Sequence, residues 1–391
     1  MEYLGLTEGD LKTKGAYHTA REIMQQPDLW EKIYQLVTAH HKSITSFLKQ
    51  ALAEVDEIIL TGAGTSAFIG MSLQSVFFRE TGILARQIPT TDILSHPQTY
   101  LVPQRSILMV SFARSGNSPE SCATVELADA ISRKCFHLII TCNAEGDLAH
   151  YQTKNEKYLL VLPPESNDES LAMTSSYTGM LLTGLLIALL DAPGDYADQI
   201  KILADTARRF LKESWPVSAS IAEKDFNRAV FLGSGVLAGA AQEGALKLQE
   251  LTDGKIICKA DTYLGFRHGP KAVIDEHTLI MYLFSSDAYA FQYELDLLNG
   301  MNKGNRALYQ VGLFPRSFRH KDLDVCLGLP NGKEILLQED FSPLLSILPC
   351  QLVGLFKSMQ LGLMPDSPSA SGAISRVVEG VKIYPMKLNH L

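Results

Sequence analysis

The sequence predicts an α/β protein built from two tandem parallel sheets, each flanked by helices in a three-layer α/β/α arrangement. From Ile58 onward, short apolar runs ending in glycine turns alternate with stretches of helical periodicity. Strands alternating with helices of that length form parallel sheets covered on both faces. The second observation is an internal repeat: Ile59-Leu60-Thr61-Gly62-Ala63-Gly64 lines up with Val230-Phe231-Leu232-Gly233-Ser234-Gly235. The third is size: 391 residues, 46% hydrophobic and 20% charged, suffice for two domains with a core each.

Taken in order, residues 1–52 read as an N-terminal helical segment. Pro27-Asp28 should break one helix (Tyr17 to Gln26) from a second that starts with Asp28 as N-cap and runs towards Glu54. Leu29, Ile33, Leu36, Val37, Ile44 and Leu48 make its packing face. The first domain, 53–213, opens with a strand at Ile58 to Thr61, a glycine turn and a helix to Gly82. A strand at Ser106 to Phe112, a helix reaching Lys134 and a strand at Phe136 to Thr141 follow. Met180 to Leu190 is the longest apolar run, short of the roughly 17 residues that span a bilayer, and reads as a core helix. A helix from Asp195 to Trp215, capped after Pro193-Gly194 and stopped by Pro216, links the halves.

The second domain, 214–363, holds a strand at Ala229 to Leu232 and a helix at Val236 to Leu251 closed by Gly254. After them come a strand at Thr278 to Phe284, a cap or turn at Ser285-Ser286-Asp287, a helix at Ala288 to Asn302 and a helix at Leu344 to Leu361 with Pro349 as a kink point. A tail, 364–391, starts with the Pro, Ser and Gly content of a loop and returns to apolar character from Ile374 to Tyr384.

In open parallel sheets ligands bind at the carboxyl ends of strands, here the loops after Thr61 and Phe112. Gly64, Thr65 and Ser66 lead into a helix N-terminus, where unpaired N–H groups and the helix dipole favour an anion. Arg114, Ser115, Asn117 and Ser118 supply further donors ahead of Pro119, a suitable first helical residue. Ordinary capping explains either loop alone; two such loops at neighbouring strand ends predict a small phosphate site. In the repeat, Val236 and Leu237 replace Thr65 and Ser66, so the second copy should hold no phosphate. Its helix instead aligns Glu243, Lys247 and Glu250 at steps of four and three on one face. A solvated salt-bridge stripe is the usual meaning of such a face. The sequel, Gly265-Phe266-Arg267-His268-Gly269-Pro270, sets an Arg-His pair between glycines and favours a functional reading.

Composition bounds the partners. A net charge of −8 argues against a nucleic-acid surface. The six cysteines show no CxxC spacing and no secretory h-region follows Met1, so a cytoplasmic protein without membrane association is expected. Cys122 reads as a small buried filler. The ten histidines show no metal-ligand spacing, and no cofactor is expected.

The helix and loop together resemble the isomerase domain of glucosamine-6-phosphate synthase, a member of the sugar isomerase (SIS) family, whose segment has the form E-G-A-L-K-x-x-E and then K-H-G-P. The family's phosphate motifs, G-x-G-T-S and S-x-S-G-x-T, match at Ser66, Ser115 and Ser118; Ala113 replaces the first serine of the second motif and Arg114 its glutamine. The resemblance implies two tandem SIS domains, with Glu250 moving a proton between C1 and C2 of an open-chain sugar phosphate. It also implies that His268 opens the ring, that Lys247 holds hydroxyls, and that Glu243, Thr174, Ser175 and, more weakly, Ser176 line the sugar. Arg376 stands where the synthase has a lysine and would act through charge alone. GAGTSAFIG, SFARSGNSPES, AMTSS, LGFRHGP and PDSPSASG extend the likeness, over nearly the whole chain, to family members that are amino-sugar-phosphate deaminase/isomerases. That implies conversion of D-galactosamine 6-phosphate and water to D-tagatose 6-phosphate and ammonia by a homodimer or higher homo-oligomer with shared active sites. Isomerisation of a neutral sugar phosphate and noncatalytic sugar-phosphate sensing are the alternatives. A sensor needs the phosphate loops but neither Glu250 nor His268.

Overall fold

The computed structural model describes residues 2–190, 196–301, 303–314, 319–328, 337–377 and 380–386. The chain divides into two compact units. One comprises Met1–Asp28, Asp168–Thr174 and Ala197–Ala373; the other comprises Leu29–Asn167, Ser175–Tyr196 and the described part of Ile374–Leu391. Segments therefore alternate between units, where the sequence suggested four consecutive stretches.

An antiparallel pair, β1 (Glu2–Tyr3) and β2 (Leu6–Thr7), opens the chain through Leu4 and Gly5, both at positive φ. Thr7 then caps a helix, accepting from the Asp10 amide at 3.2 Å.

The sheet of the second-named unit contains β3 (Glu57–Thr61), β4 (Ala85–Gln87), β5 (Ser106–Ala113), β6 (Lys134–Thr141) and β7 (Lys157–Val161), all parallel, in the order β4-β3-β5-β6-β7. β3 and β5 are buried throughout, as central parallel strands covered on both faces must be. Ile59, Ile107, Met109 and Ile139 point to one face and form a core with Ile93 and Val125, from helices Thr90–Ser95 and Pro119–Ile131. The other face is covered by helices Thr65–Thr81 and Ser175–Ala188. Gly184 is required there, because a Cβ would lie 2.5 Å from Leu73 and 3.1 Å from Phe112.

The other unit repeats this plan with β8 (Arg228–Leu232), β9 (Ile257–Asp261), β10 (Thr278–Leu283), β11 (Tyr309–Phe314) and β12 (Val325–Gly328), parallel in the order β12-β11-β10-β8-β9. Read from the first strand of each sheet, the two orders are the same. Helices Leu237–Leu251 and Ser342–Gln360 pack closely, Gly244 leaving room for Phe231 and Cys350. Val230, Leu232, Ile280 and Tyr282 face the opposite layer with Leu297 and Leu298 of helix Ala288–Met301. The stretch Glu339–Gln360 is the one segment among the described residues long and apolar enough to cross a membrane, and 94% of its apolar 18-residue window is buried.

Several expected boundaries are corrected. Pro27 does not break its helix, which runs from Tyr17 to Ala39; the interruption falls at His40, ahead of helix His41–Leu52. Proline removes one backbone hydrogen bond, but the turns on both sides are held by burial of Ile23, Gln26, Leu29 and Trp30. Asp28 pairs with Arg208 at 2.7 Å instead of capping. The helix expected to reach Lys134 ends at Ile131, and Lys134 starts β6 with its ammonium over the Phe136 ring. Pro216 does not stop the linking helix, Tyr196–Glu213, but lies in the first turn of another, Trp215–Ala222. Asp195, Pro193, Gly194 and Asn302 lie outside the described residues.

Candidate active-site elements

In the unit built on β3–β7, chain order reverses between β3 and β5: β4 adds on one side of β3 and β5 on the other. This switch point leaves a crevice at the carboxyl edge of the sheet. Thr61 and Ser111 are register partners there, so the two loops expected to hold phosphate leave adjacent strands. In the first loop, Gly62 cannot carry a side chain, since a Cβ would lie 2.5 Å from Ser66 Cβ and 2.7 Å from its carbonyl carbon. Gly64 adopts φ 54° and N-caps helix Thr65–Thr81, and the Ser66 amide donates to the Ala63 carbonyl at 3.1 Å. Thr65 and Ser66 sit in that turn, only 4% and 5% exposed.

The second loop is tied down from β6. Asn143 Nδ2 donates to the Ser115 carbonyl at 2.8 Å, and the Asp147 amide donates to Asn117 Oδ1 at 2.9 Å. Asn117 thus braces the loop. Ser118 N-caps helix Pro119–Ile131 and donates to Ser121 Oγ at 2.6 Å. Arg114 is buried, and its Nη2 donates to the carbonyl of Arg376 in the tail, whose own guanidinium donates to Asn167 Oδ1 at 2.9 Å. The charge expected beside the phosphate is therefore spent partly on holding the tail. Cys122, expected as a buried filler, is only half-buried; burial still pushes its pKa up, with Asp147 and Glu126 adding to the shift.

Behind these loops sits a feature the sequence reading missed. Thr61 Oγ1, Thr90 Oγ1, Ser111 Oγ and Glu120 Oε2 are buried with no hydrogen-bond partner among the described residues. Strand alternation puts Thr61 and Ser111 on the face of Ile59 and Met109, beneath the helices that carry Thr90 and Glu120. A pattern of alternate polar residues at the ends of two otherwise apolar strands was the available signal.

Asp129, Cys135 and His137 each bring a donor atom within 4.8 Å of the others. His137, however, turns Nε2 to Asp129 (2.6 Å) and Nδ1 to Cys135 (3.8 Å), so its two neighbours meet opposite edges of the ring and no single ion faces all three. Burial raises the Asp129 pKa, but hydrogen bonds from His137, Thr153 and Tyr151 outweigh it and hold the carboxyl well below the usual range. Burial pushes the Cys135 thiol far up. This is a structural relay.

In the unit built on β8–β12, helix Leu237–Leu251 buries Glu243 and Lys247, and the Lys247 ammonium lies 3.4 Å from Glu243 and 2.5 Å from Glu250. Glu250 alone of the three reaches solvent, its side chain 25% exposed. A solvated stripe is thereby excluded. His268 sits on an exposed loop and its imidazole makes no hydrogen bond or ion pair among the described residues. The loop itself is braced: Arg267 pairs with Asp296 at 2.9 Å and Lys271 Nζ donates to the Gly300 carbonyl at 2.7 Å.

The repeat's own switch point is unsuited to an anion. Gly233 and Gly235 keep the turn, but Val236 and Leu237 are buried and apolar. In the loop after β10, the Ser285 amide donates to Glu294 Oε2 at 2.9 Å and its hydroxyl to Glu339. Burial pushes Glu294 up to about 7.

Thr174, Ser175 and Ser176 are all fully buried. Thr174 is turned to Asp168, its amide donating at 2.8 Å and its hydroxyl at 3.4 Å.

Residues 51–190 match the SIS domain model. The chain is 40% identical over 385 residues to a Shewanella sp. (strain ANA-3) protein named D-galactosamine-6-phosphate deaminase AgaS, covering 97% of this chain and 95% of that protein. The chain belongs to the AgaS branch of the SIS-domain family. Other AgaS relatives include one from Escherichia coli O157:H7, 38% identical over 372 residues, covering 94% of this chain and 95% of that protein. The crystal structure of an E. coli protein, named as a tagatose-6-phosphate ketose/aldose isomerase, superposes with a TM-score of 0.85 at 34% identity over 95% of this chain and 97% of that one. Full-length AgaS similarity accounts for the second sheet, which lies outside the region matched by the SIS model.

Proposed function

We propose that this chain is a deaminating aldose-ketose isomerase that converts D-galactosamine 6-phosphate and water to D-tagatose 6-phosphate and ammonia. The substrate comes from the name of the Shewanella relative; the chemistry rests on one observation, a buried lysine bridging two carboxylates of which only Glu250 is open to solvent. The phosphate is bound by the helix N-terminus at Thr65 and Ser66, with Ser115 and Ser118 from the neighbouring strand end. Glu250 takes the proton from C2 of the open-chain amino sugar and returns it to C1, leaving a C2 ketimine that water hydrolyses to the ketose and ammonia. Lys247 orients Glu250, and His268 opens the ring.

The test is ammonia release from galactosamine 6-phosphate, glucosamine 6-phosphate and their N-acetylated forms, with Glu250→Gln alongside. Galactosamine 6-phosphate should be turned over and the variant should lose at least about 100-fold in kcat, the low end of general-base contributions. Turnover of tagatose 6-phosphate to its aldose without ammonia release from any amino sugar would favour the neutral-sugar isomerase instead. The same reading gives a cytoplasmic homo-oligomer, consistent with six free cysteines. The exposed imidazole, without a partner among the described residues, supports delivery of His268 to a neighbouring subunit's site. Mixed Glu250→Gln and His268→Ala chains should then regain part of the activity that each lacks alone; no regain places His268 in its own chain's site.

A further inference from the structure

We infer that Glu22 acts as an un-ionised, proton-donating carboxylic acid that positions the loop leading into Thr174 and Ser175. The inference rests on the proposed deaminase reading only in taking that loop as part of the sugar site.

Hydrogen counting carries it. Glu22 is 1% exposed on the long helix Tyr17–Ala39. Its Oε1 accepts from the Glu169 amide at 2.6 Å, and the Ser170 amide is shared between Oε1 (3.3 Å) and Oε2 (3.4 Å), so Oε1 is the better-filled acceptor. Its Oε2 meets the Ser170 hydroxyl, and that hydroxyl also lies 3.0 Å from the Ala172 carbonyl. A serine has one hydrogen and cannot make a full hydrogen bond to both. The conflict disappears if Glu22 carries the proton on Oε2 and donates to Ser170 Oγ, which then donates to Ala172. Asp168, close by, accepts from the Thr174 amide and hydroxyl, one at each oxygen.

The surrounding charges agree. Arg21 lies 3.7 Å from Glu22 but 2.7 Å from Glu169, to which its charge is committed. His18 also faces Glu169, at 3.4 Å. Asp366 caps the start of the helix through the His18 and Thr19 amides, and its carbonyl accepts from the Leu171 amide at 3.0 Å. Burial, then the charge of Asp168, pushes Glu22 up to about 8. One knot thus joins the helix start, the loop Asp168–Thr174 and Asp366.

The consequence is a loop fastened below about pH 8 and loosened above it. Because the folded carboxyl holds its proton where an unfolded one has lost it, stability from this group falls as pH rises from about 4.5 through about 8. Glu22→Gln reproduces the acid's donor and acceptor at every pH. KM for galactosamine 6-phosphate should match wild type within about twofold at pH 6.5, while at pH 9 the wild-type KM should exceed that of the variant by up to about tenfold, one pH unit beyond the midpoint. kcat should move less than KM. Thermal unfolding of the full chain, read without substrate, should show a lower midpoint at pH 9 than at pH 6.5 in wild type and a smaller difference in Glu22→Gln. An unfolded Glu22→Gln protein, a large KM increase at pH 6.5, or parallel pH profiles would each overturn the assignment. If no amino sugar is turned over, the unfolding profiles alone decide the protonation of Glu22, separately from the fate of the deaminase reading.

Discussion

Lys247 shows how much one side chain can hold. It is 1% exposed, between Glu243, which is fully buried, and Glu250. Replacing it with methionine keeps the volume and removes the cation, leaving Glu243 without its compensating charge; breaking such a buried pair costs about 3–5 kcal/mol. Lys247→Met should therefore lower the urea midpoint sharply, whereas Glu250→Gln, at the exposed rim, should change it little while abolishing turnover. A Lys247→Met protein as stable as wild type would show that the ammonium is not the partner its position suggests. This constellation was legible in the sequence because its spacing is local to one helix. The Glu22 knot was not: its partners lie 147 and 148 positions away, and no periodicity reports on them. The bracing role of Asn117 was hidden for the same reason, since the Asp147 amide that its Oδ1 accepts from comes from a different loop.

Among the elements, the two glycine turns give the sharpest comparison. Gly62 and Gly233 occupy the same place in the repeat, and a Cβ at either would lie 2.5 to 2.6 Å from the helix that follows. Gly64 and Gly235 share positive φ, 54° and 58°, with open space around them. Alanine at the first pair forces the helix off its strand, costing about 1–3 kcal/mol, and at the second meets only the left-handed penalty of about 1–2 kcal/mol. Urea unfolding of the four single variants should rank Gly62→Ala and Gly233→Ala as the more damaging in each unit. Equal losses at all four positions would show that packing does not separate them. The central strands and this turn were readable because apolar runs ending in glycine are strong signals. The strands β4, β7, β9, β11 and β12 escaped: several are short, and in β9 every residue is exposed or half-buried, so no apolar run marks it. The unbroken helix through Pro27 escaped as well, because burial by distant segments decided it.

For the whole molecule, the alternation of segments matters most. The chain passes from one unit to the other at residues 28, 167, 174, 196 and 373, so neither unit is a continuous stretch. A cut at residue 52 or 213, the natural place by sequence, would take Leu11, Ala16, Ala20 and Ile23 away from the unit that buries them. The chain's two tryptophans fall one in each unit: Trp30 is buried and donates to Thr178 Oγ1 at 3.0 Å, while Trp215 packs against Gly5 and Phe356. Trp30→Phe and Trp215→Phe therefore leave single reporters, and their fluorescence transitions in urea should coincide, since each unit needs segments that the other's fold delimits. Separate transitions would show two independently stable domains.

The duplicated turn also bears on how such a chain could change over time. Because Gly233 and Gly235 answer to the shape of the backbone and to no ligand, drift can strip a socket of its donors while leaving its outline intact. Threonine and serine placed at 236 and 237 would not make a receptor there, because the loop after β10 presents the carboxyl groups of Glu294 and Glu339 around Ser285.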